Sequence, residues 1–336
     1  MRIAINGFGR IGRAAFKILR EHDDMEVVAI NDLTDAATLA HLLAYDTAYG
    51  PYDASVSAQE HAIVVDGDVY PIIAQPDPAQ LPWKDYDVDV VLECTGRFVK
   101  DGAARAHITA GAKRVVLSAP AKGGGDVPTF LMGVNHHEMT GTEDVVSNAS
   151  CTTNCIAPVA EVMHSAFGVA KAMMTTIHSY TADQRLQDAP HRDLRRARAA
   201  AQNIVPTTTG AAIATTKVVP SLVEKFDGIS VRVPTIVVSL ADFTFLLERD
   251  VTVEEVNDAL SAAAQNPRYD GVLAVTDAPL VSSDFIGVPY SSVVDLAMTK
   301  VVDGNMVKVV AWYDNEQGYA HRLVDMARTV GASLHA

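Results

Sequence analysis

The first 150 residues alternate short, continuously apolar runs with segments of helical spacing. Continuous apolar runs are typical of strands buried on both faces, and their alternation with helices predicts a mostly parallel, doubly wound sheet. Helices are predicted over residues 12–22 and 35–45, and residues 61–83 predict a hairpin followed by a proline-rich connection. The predicted strands are residues 2–6, 26–32, 89–96, 113–120 and 129–135.

After residue 150 the pattern changes to longer strands and a long helix that begins at Cys151. Further helices are predicted over residues 252–264 and 318–334, whereas residues 182–206 show no regular pattern. The predicted strands are residues 170–181, 230–248 and 306–315. Long strands separated by helices are typical of an α+β domain with a largely antiparallel sheet. The sequence therefore predicts an α/β fold, with a doubly wound parallel-sheet domain followed by an α+β domain.

A glycine motif lies directly after the first predicted strand and at the start of the first predicted helix. The sequence GFGRIG supplies Gly7, Gly9 and Gly12 in the spacing G-x-G-x-x-G. Glycine permits the tight turn and the close backbone approach to a pyrophosphate, which the helix N-terminus stabilises. Asp32 follows at the end of the second predicted strand, where a carboxylate accepts hydrogen bonds from an adenosine ribose and repels a 2′-phosphate. The motif predicts a Rossmann-type dinucleotide site that prefers NAD to NADP.

The sequence SNASCTTNC places two of the three cysteines, Cys151 and Cys155, four residues apart. The pair is a poor metal site because no other cysteine clusters with it. Cys155 lies one turn into the predicted helix and is expected to be buried packing. A thiolate at Cys151 would gain from the helix dipole and the backbone amides, which predicts a lowered pKa and a nucleophile. The alternative is an inert core cysteine.

His178 ends the next predicted strand and is the candidate base for Cys151. The alternative is a core histidine with satisfied hydrogen bonds. Joined to a dinucleotide site, the Cys/His pair predicts covalent oxidation of an aldehyde. Cys151 attacks the aldehyde, hydride leaves for the nicotinamide, and a thioester remains. His178 takes the proton and later stabilises the oxyanion.

Hydroxyl and amide groups are frequent around these two residues, and PTTTGAA precedes a predicted helix whose N-terminus could hold an anion. Arg195 and Arg232 could each add a bidentate guanidinium. Ordinary loop and cap chemistry is the alternative for each position. Their combination beside a nucleophile favours phosphate. The hydroxyl- and amide-rich positions are Ser150, Thr152, Thr181, Thr207, Thr208, Thr209 and Gly210.

Composition narrows the class of protein. With 49% hydrophobic and 20% charged residues, the chain has the profile of a globular protein, and no apolar run reaches the length of a bilayer span. The net charge of −14 disfavours nucleic-acid and anionic-membrane partners. We expect the arginine-rich residues 191–200 to serve subunit contacts or a small anion. The low cysteine count and an N-terminus without a secretory pattern lead us to expect a cytoplasmic protein.

Six segments, in their order, resemble signature segments of phosphorylating glyceraldehyde-3-phosphate dehydrogenase: INGFGRIGR, SNASCTTNC, HSYTADQ, PHRDLRRARAAAQNIVPTTTGAA, VRVPT and WYDNEQGY. The resemblance covers essentially the whole chain, and SCTTNC with WYDNE is far more specific than the glycine motif. It implies a homotetramer that converts glyceraldehyde 3-phosphate, NAD and inorganic phosphate to 1,3-bisphosphoglycerate. It also implies an NAD-binding Rossmann domain over residues 1–150, a catalytic domain over 151–316, and a C-terminal helix over 317–336 that packs back on the first domain.

The resemblance further implies roles for single residues. Cys151 would be the nucleophile and His178 the base that activates it. Thr181 and Arg232 would bind the phosphate of the substrate. The attacking phosphate would be bound by Ser150, Thr152, Arg195, Thr209 and Gly210. Besides the three glycines, the NAD contacts would be Arg10, Ile11, Asp32, Ser118, Asn315 at the nicotinamide amide, and Tyr319 near its ring. A metal is not implied.

Three positions depart from the family pattern. Pro76 replaces an arginine near the adenine, which should weaken cofactor binding modestly. Ile236-Val237 stands in place of the frequent Pro-Asn, with no clear consequence. Ala189-Pro190 stands where NAD-specific members often carry Leu-Pro and NADP-using members Ala-Ser, so dual specificity stays open.

Three rival functions deserve comparison with the dehydrogenase. Erythrose-4-phosphate dehydrogenase is disfavoured because HSYTADQ and PTTTGAA keep the phosphate-binding hydroxyls. A thiol hydrolase would leave the glycine motif and Asp32 without a role. A redox sensor with the same cysteine would bind NAD but show no phosphate-dependent turnover.

Overall fold

The computed structural model describes residues 1–334, and these divide into two units. The first unit contains Met1–Leu131, His136–Ala149 and the chain from Ala320 onward. The second unit contains Met132–Asn135 and Ser150–Tyr319. None of the helices in the described part of the chain is both long enough and apolar enough to cross a membrane.

The first unit is built on a sheet of eight strands. Its helices are α1 (Arg10–Leu19), α2 (Ala36–Ala44) and α3 (Ala106–Thr109). Its strands are β1 (Arg2–Asn6), β2 (Glu26–Asn31), β3 (Tyr45–Asp46), β4 (Gly50–Pro51), β5 (Val56–Gln59), β6 (Ala62–Val65), β7 (Asp68–Ile73), β8 (Val90–Glu93), β9 (Arg114–Leu117) and β10 (Val145–Ser147). The sheet order is β10-β9-β8-β1-β2-β7-β6-β5, and β3 pairs with β4 separately.

Six strands of this sheet, from β10 to β7, pair in parallel, and β7, β6 and β5 form an antiparallel edge. The predicted parallel sheet is confirmed. The predicted hairpin is present as β6 and β7, joined by Asp66 and Gly67, both at positive φ as a tight hairpin turn requires. The carboxyl ends of β1, β2 and β8 meet at one edge of the sheet, which is where ligands bind in folds of this kind.

Two predicted strands are wrong. The predicted strand over residues 230–248 is in fact two strands, Phe226–Val233 and Ser239–Leu247, with bends between them. Residues 129–135 make only a single β-bridge, between Thr129 and Ser147. The chain then turns over residues 132–135, where Gly133 has a φ of +79°. Phe130 and Leu131 are buried, so this apolar run belongs to a buried turn. A short apolar run cannot by itself distinguish a strand from such a turn.

The second unit carries the other large sheet. Its helices are α4 (Cys151–Phe167), α5 (Ala211–Val218), α6 (Val253–Ala264) and the start of α7 (Gln317–Ala332). Its strands are β11 (Val169–Ser179), β12 (Val205–Thr208), β13 (Phe226–Val233), β14 (Ser239–Leu247), β15 (Leu273–Thr276), β16 (Ser292–Asp295), β17 (Lys300–Val302) and β18 (Met306–Tyr313). The order is β12-β13-β11-β14-β18-β16-β15, with β17 on β18.

Most pairs in this second sheet are antiparallel, which confirms the predicted α+β arrangement. Two pairs, β11 with β13 and β15 with β16, are parallel. The parallel register of β11 and β13 sets His178 directly beside Arg232. Because paired residues point to the same face of a sheet, the two side chains meet.

Candidate active site

Cys151 is the first residue of α4, and the local sequence fixes that start. Ser150 has extended backbone geometry, and its hydroxyl accepts a hydrogen bond of 3.1 Å from the backbone N–H of Thr153. Serine is among the best N-cap residues for this reason. Ala149, just before the cap, has a φ of +51°, an uncommon conformation for a residue with a side chain. Such local strain is frequent at functional sites.

Cys151 and His178 lie in contact. The Sγ atom of Cys151 is 3.6 Å from Nε2 of His178. The Nδ1 atom of His178 is 2.7 Å from the backbone oxygen of Ser179, which can only accept, and 3.2 Å from Nη1 of Arg232, which can only donate. The shorter contact, with the oxygen, favours the proton on Nδ1. The unprotonated Nε2 therefore faces the thiol. Burial and the charge of Arg232 lower the pKa of His178 to about 3, so this imidazole is neutral and able to take a proton.

The predicted lowering of the thiol pKa is wrong in direction. Burial raises the pKa of the Cys151 thiol, although Arg232 and hydrogen bonds at Thr152 act to lower it. The side chain is half-buried, and loss of solvation outweighs the helix N-terminus. At 3.6 Å, attraction between a thiolate and an imidazolium opposes both pKa shifts, the rise at Cys151 and the fall at His178. The pair therefore shares one exchangeable proton.

Arg232 brings a cation to the same place. Its Nη1 donates to the hydroxyl of Thr181 at 3.3 Å and to the backbone oxygen of Ser179 at 3.2 Å. Within residues 1–334 its buried Nε has no hydrogen-bond partner. Burial, followed by the nearby charge of Arg196, lowers the pKa of Arg232. A half-buried guanidinium with an unused donor favours an anionic ligand.

A row of hydroxyl groups lies behind the cysteine. The Tyr313 hydroxyl is hydrogen-bonded to the hydroxyls of Thr152 at 3.0 Å and Thr176 at 2.8 Å. Thr152 in turn lies 4.0 Å from Sγ of Cys151. We did not single out Tyr313 and Thr176 from the sequence. The signal for Thr176 was its position two residues before His178, on the same face of the strand.

Arg196 was not among the predicted site residues. Of the arginines in residues 191–200, it is the one whose charge acts on the pKa values of groups in the site. Its guanidinium donates to the Thr207 hydroxyl at 3.0 Å and to the backbone oxygen of Thr208 at 3.1 Å, and it pairs with Asp183. Its charge lowers the pKa of both His178 and Arg232. It therefore adds positive potential to the site.

The remaining predicted anion-binding residues lie around the start of α5. The Thr209 hydroxyl accepts a hydrogen bond from the Ala211 N–H at 3.1 Å, and Gly210 is the N-cap of α5. Arg195 is exposed and donates to the backbone oxygen of Pro206 at 3.5 Å. Helix α5 packs against α4. In the described chain, however, no hydrogen bond joins these three predicted residues to Cys151.

A separate cleft of about 330 Å³ lies in the first unit, at the ends of β1, β2 and β8. A Cβ on Gly7 would lie 2.8 Å from the backbone nitrogen of Thr95, and one on Gly12 would lie 2.1 Å from the backbone oxygen of Gly7. Gly9, the N-cap of α1, would direct a Cβ into open space. The backbone therefore forms a cradle that a phosphate group can approach.

The carboxylate that follows β2 is fixed at the edge of this cleft. Asp32 accepts hydrogen bonds from the N–H groups of Phe8 at 2.8 Å and Thr34 at 3.0 Å, and it lines the cleft together with Pro76. Arg10 pairs with Asp46 at 2.7 Å. This cradle and carboxylate fit a dinucleotide.

The other predicted cofactor residues are distributed over both units. Ile11 is half-buried in α1, and the Ser118 N–H donates to the backbone oxygen of Glu93 at 3.0 Å. Asn315 and Tyr319 are buried in the second unit, where Asn315 Oδ1 accepts a hydrogen bond from the Ser239 hydroxyl at 3.0 Å. Because Oδ1 accepts that bond, the amide nitrogen is the atom of the Asn315 side chain that can donate a hydrogen bond.

Comparison with known proteins bears on both units. A family model described as the glyceraldehyde 3-phosphate dehydrogenase C-terminal domain matches residues 150–315, and the model of its NAD binding domain matches residues 1–101. The chain is 55% identical over 327 residues to glyceraldehyde-3-phosphate dehydrogenase 1 of Bacillus cereus, covering 97% of each chain. It is 53% identical over 333 residues to the Geobacillus stearothermophilus enzyme, covering 99% of this chain and 98% of the relative.

The chain belongs to the glyceraldehyde-3-phosphate dehydrogenase family. This confirms the predicted family and supports NAD as the cofactor of the first unit. The Zymomonas mobilis relative, 50% identical over 336 residues, carries the same name. None of these names supports the erythrose-4-phosphate alternative.

Proposed function

We propose that the protein catalyses the NAD-dependent, phosphorylating oxidation of glyceraldehyde 3-phosphate to 1,3-bisphosphoglycerate. The observation that carries the proposal is the contact of 3.6 Å between Cys151 Sγ and His178 Nε2, beside the cation of Arg232. A nucleophile, a base and an anion site within one unit are the groups that this reaction needs. The family membership supports the same substrate.

The first half of the reaction acylates the cysteine. Cys151 Sγ attacks the aldehyde carbon while its proton passes to His178 Nε2, and His178 then gives this proton to the former aldehyde oxygen, forming a hemithioacetal. His178 then takes the hydroxyl proton of the hemithioacetal as the carbon is oxidised to a thioester. NAD, when bound, supplies the hydride acceptor for this oxidation.

In the second half, inorganic phosphate attacks the thioester carbonyl carbon. The C–S bond breaks, 1,3-bisphosphoglycerate leaves, and the Cys151 thiolate is regenerated. The charge that develops on the carbonyl oxygen is stabilised by the protonated His178.

Two anion sites serve the two phosphate groups in this proposal. Arg232 and Thr181 bind the phosphate of the substrate, as supported by their mutual contact and the unused Nε donor. The attacking phosphate is bound near the N-terminus of α5, where a helix of eight residues begins at a glycine cap. The residues assigned to it are Ser150, Thr152, Arg195, Thr209 and Gly210.

Substitutions in the two anion sites are predicted to affect different kinetic steps. Arg232→Ala should raise the KM for glyceraldehyde 3-phosphate about tenfold or more, because it removes a charged hydrogen bond. Unphosphorylated glyceraldehyde should be affected far less. Loss of the Arg232 charge also disfavours the thiolate, so the Cys151 pKa should rise and iodoacetamide labelling at neutral pH should slow. Thr209→Ala should instead slow phosphorolysis and leave the first NADH turnover intact. An equal rise in aldehyde KM for both variants, with no other change, would contradict the two-site assignment.

Cofactor binding is assigned to the cleft of the first unit. The domain limits follow the same proposal: residues 1–150 bind NAD, residues 151–316 hold the catalytic groups, and residues 317–336 complete the first domain. The cofactor contacts are Gly7, Gly9, Arg10, Ile11, Gly12, Asp32, Ser118, Asn315 and Tyr319.

Asp32 is predicted to set the preference for NAD. Its carboxylate at the cleft repels the 2′-phosphate of NADP, so kcat/KM should be higher with NAD than with NADP. Asp32→Ala should lower the ratio of kcat/KM for NAD to that for NADP about tenfold, which corresponds to about 1.4 kcal/mol. Asp35→Ala is the control for the loss of a local hydrogen bond. Like Asp32, Asp35 is a carboxylate that accepts a hydrogen bond from a backbone N–H, in this case that of Thr38 in α2. A wild-type protein that prefers NADP would contradict the assignment and direct attention to Ala189-Pro190.

We propose a homotetramer in the cytoplasm as the working form. Exposed apolar side chains support association: Met173, Ile229, Leu246 and Met306 lie on one face of the second sheet and are 39–58% exposed. Leu186 and Leu194 are also strongly exposed. Contiguous exposed apolar surface is typical of subunit interfaces. Sedimentation velocity tests the assembly.

One assay tests the proposed reaction. NADH formation is measured with glyceraldehyde 3-phosphate or erythrose 4-phosphate, each with and without inorganic phosphate. Fast, phosphate-dependent turnover of glyceraldehyde 3-phosphate is expected. A preference for erythrose 4-phosphate, or steady turnover that ignores phosphate, would overturn the proposal.

A further inference from the structure

A buried carboxylate lies beneath the cleft of the first unit. Glu93, the last residue of β8, is 1% exposed. Four hydrogen bonds converge on it. They come from Asn6 Nδ2 at 2.5 Å, His107 Nε2 at 3.0 Å, Thr95 N at 2.8 Å and Thr95 Oγ1 at 2.5 Å. Because every partner donates, the network requires Glu93 as a carboxylate.

His107 is held in one tautomer. It is fully buried, and the indole N–H of Trp83 donates to its Nδ1 at 2.9 Å. An indole nitrogen can only donate, so Nδ1 carries no proton, and the proton of the neutral ring is on Nε2. That proton points to Glu93. Trp83 therefore sets His107 as a neutral donor to the carboxylate.

A second chain of hydrogen bonds reaches the same oxygen of Glu93, Oε2, where Asn6 Nδ2 lies 3.4 Å from His107 Nε2. Asn6 donates through Nδ2 to Glu93, which leaves its Oδ1 to accept from Asn31 Nδ2 at 2.7 Å. Asn31 Oδ1 then accepts from the backbone N–H of Gln75 at 2.9 Å. Asn31 Nδ2 also donates to the backbone oxygen of Gln75 at 3.0 Å, so the Gln75 backbone holds the Asn31 amide at both ends. The carboxylate of Glu93 fixes the orientation of the Asn6 amide, and Asn6 links it to Asn31.

The same residues line the cofactor cleft. Asn6, Asn31, Gln75 and Thr95 all contribute to its wall, and they come from four separate segments of the chain. The backbone nitrogen of Thr95 also lies close against Gly7, within the space that a Cβ would need. A network of polarised hydrogen bonds in a buried site holds such groups in one arrangement.

We propose that Glu93 is a positioning residue for the cofactor: it preorganises the walls of the NAD cleft from beneath, through Thr95 at one carboxylate oxygen and through Asn6, linked to Asn31 and held beside His107, at the other. This inference rests on the proposed binding of NAD in that cleft. Groups held in the bound arrangement before binding lose less freedom on binding, which increases affinity. The role is distinct from catalysis, because Glu93 acts through other residues.

Glu93→Gln tests the proposal. The carboxamide has one acceptor oxygen where the carboxylate has two, so either the Thr95 N–H or the pair of Asn6 and His107 faces an N–H donor in place of an acceptor. The dissociation constant for NAD, measured by calorimetry, should rise about tenfold or more. The kcat at saturating NAD and glyceraldehyde 3-phosphate should change less than about threefold, because only ground-state affinity is lost. Glu143→Gln is the matched control, since Glu143 accepts from the N–H groups of Thr140 and Gly141 outside the cleft.

A pair of substitutions at His107 provides a test with conservative rescue. Glutamine at this position can donate to Glu93 and accept from Trp83, so His107→Gln should bind NAD nearly as wild type does. His107→Leu removes both hydrogen bonds and should raise the dissociation constant for NAD, as Glu93→Gln does. Hydrogen exchange of the Thr95 and Gln75 amides in the NAD-free protein gives a readout without turnover. It should be faster in Glu93→Gln and His107→Leu than in wild type.

The outcomes separate this inference from the proposed function. Wild-type binding of NAD, with weaker binding by Glu93→Gln and His107→Leu, supports both. If wild type binds NAD and the folded variants bind it equally well, the network is only structural and the inference is overturned, even if their thermal stability falls. Wild-type protein that binds no NAD overturns both. If Glu93→Gln does not fold, the two His107 variants decide the question.

Discussion

Cys151→Ser is expected to lower the rate of NADH formation at least about 10⁴-fold, because a serine alkoxide is far harder to form than a thiolate. The fold should persist, since Ser150 caps α4 through Thr153 and the side chain of residue 151 is not part of the cap. NAD binding by calorimetry should also persist. The rate is measured with saturating glyceraldehyde 3-phosphate, NAD and phosphate.

Cys155→Ser is the matched control for this experiment. Cys155 is fully buried one turn further along α4, where its thiol lies 3.5 Å from the Ser292 hydroxyl. Burial strongly raises its pKa, which makes it a poor nucleophile. This variant should keep most of its activity. If Cys151→Ser retained substantial turnover, or both variants lost it equally, Cys151 would not be the covalent nucleophile.

His178→Asn is expected to slow acylation about 10²- to 10⁴-fold, the usual contribution of a positioned general base. Asparagine can still donate to the Ser179 backbone oxygen, but it offers no base to Sγ of Cys151. The midpoint of the pH profile for Cys151 alkylation by iodoacetamide should move to higher pH. The reason is that the thiolate loses its imidazolium partner.

The control for His178→Asn is the same substitution at His164. His164 lies in α4, where its Nδ1 accepts a hydrogen bond from the Val169 N–H at 3.0 Å. His164→Asn should leave both the single-turnover rate and the alkylation profile near wild type. An unchanged rate and profile in His178→Asn would show that the contact of 3.6 Å has no role in catalysis.

Much of the fold could be predicted because its strands coincide with apolar runs and its helices with helical spacing. Strand β1 and helix α4 begin at the predicted residues, Arg2 and Cys151. The prediction over residues 129–135 is wrong because that apolar run is buried in a turn rather than paired with neighbouring strands. Burial alone does not specify backbone pairing, and only pairing makes a strand.

The site was less accessible from sequence, since its contacts join distant residues. Thr152 and Tyr313 are separated by 161 positions, and only the packing of α4 against β18 brings them together. Arg196 was indistinguishable from its arginine neighbours until its contact with Thr207 was visible. The roles assigned to the predicted phosphate and cofactor residues stay predictions. They concern ligands, and ligand contacts must be tested by substitution.

The pKa of Cys151 was also not predictable from the local sequence. The helix start at Cys151 predicts a low thiol pKa, yet burial raises it, because solvation depends on the packing of the whole site. The network of Glu93 could not be foreseen either. Its members come from separate strands and loops, and the direction of the hydrogen bond between His107 and Glu93 follows from the contact of His107 with Trp83.

The central claim is that Cys151 carries a thioester formed before phosphate attacks. The direct measurement is a single turnover with glyceraldehyde 3-phosphate and NAD in the absence of phosphate, followed by rapid acid quench and mass spectrometry of the Cys151 peptide. We expect a burst of one NADH per active site and the mass of a phosphoglyceroyl group on Cys151, removed when phosphate is added before the quench. A burst with unmodified Cys151, or NADH formation only when phosphate is present from the start, would contradict the covalent mechanism.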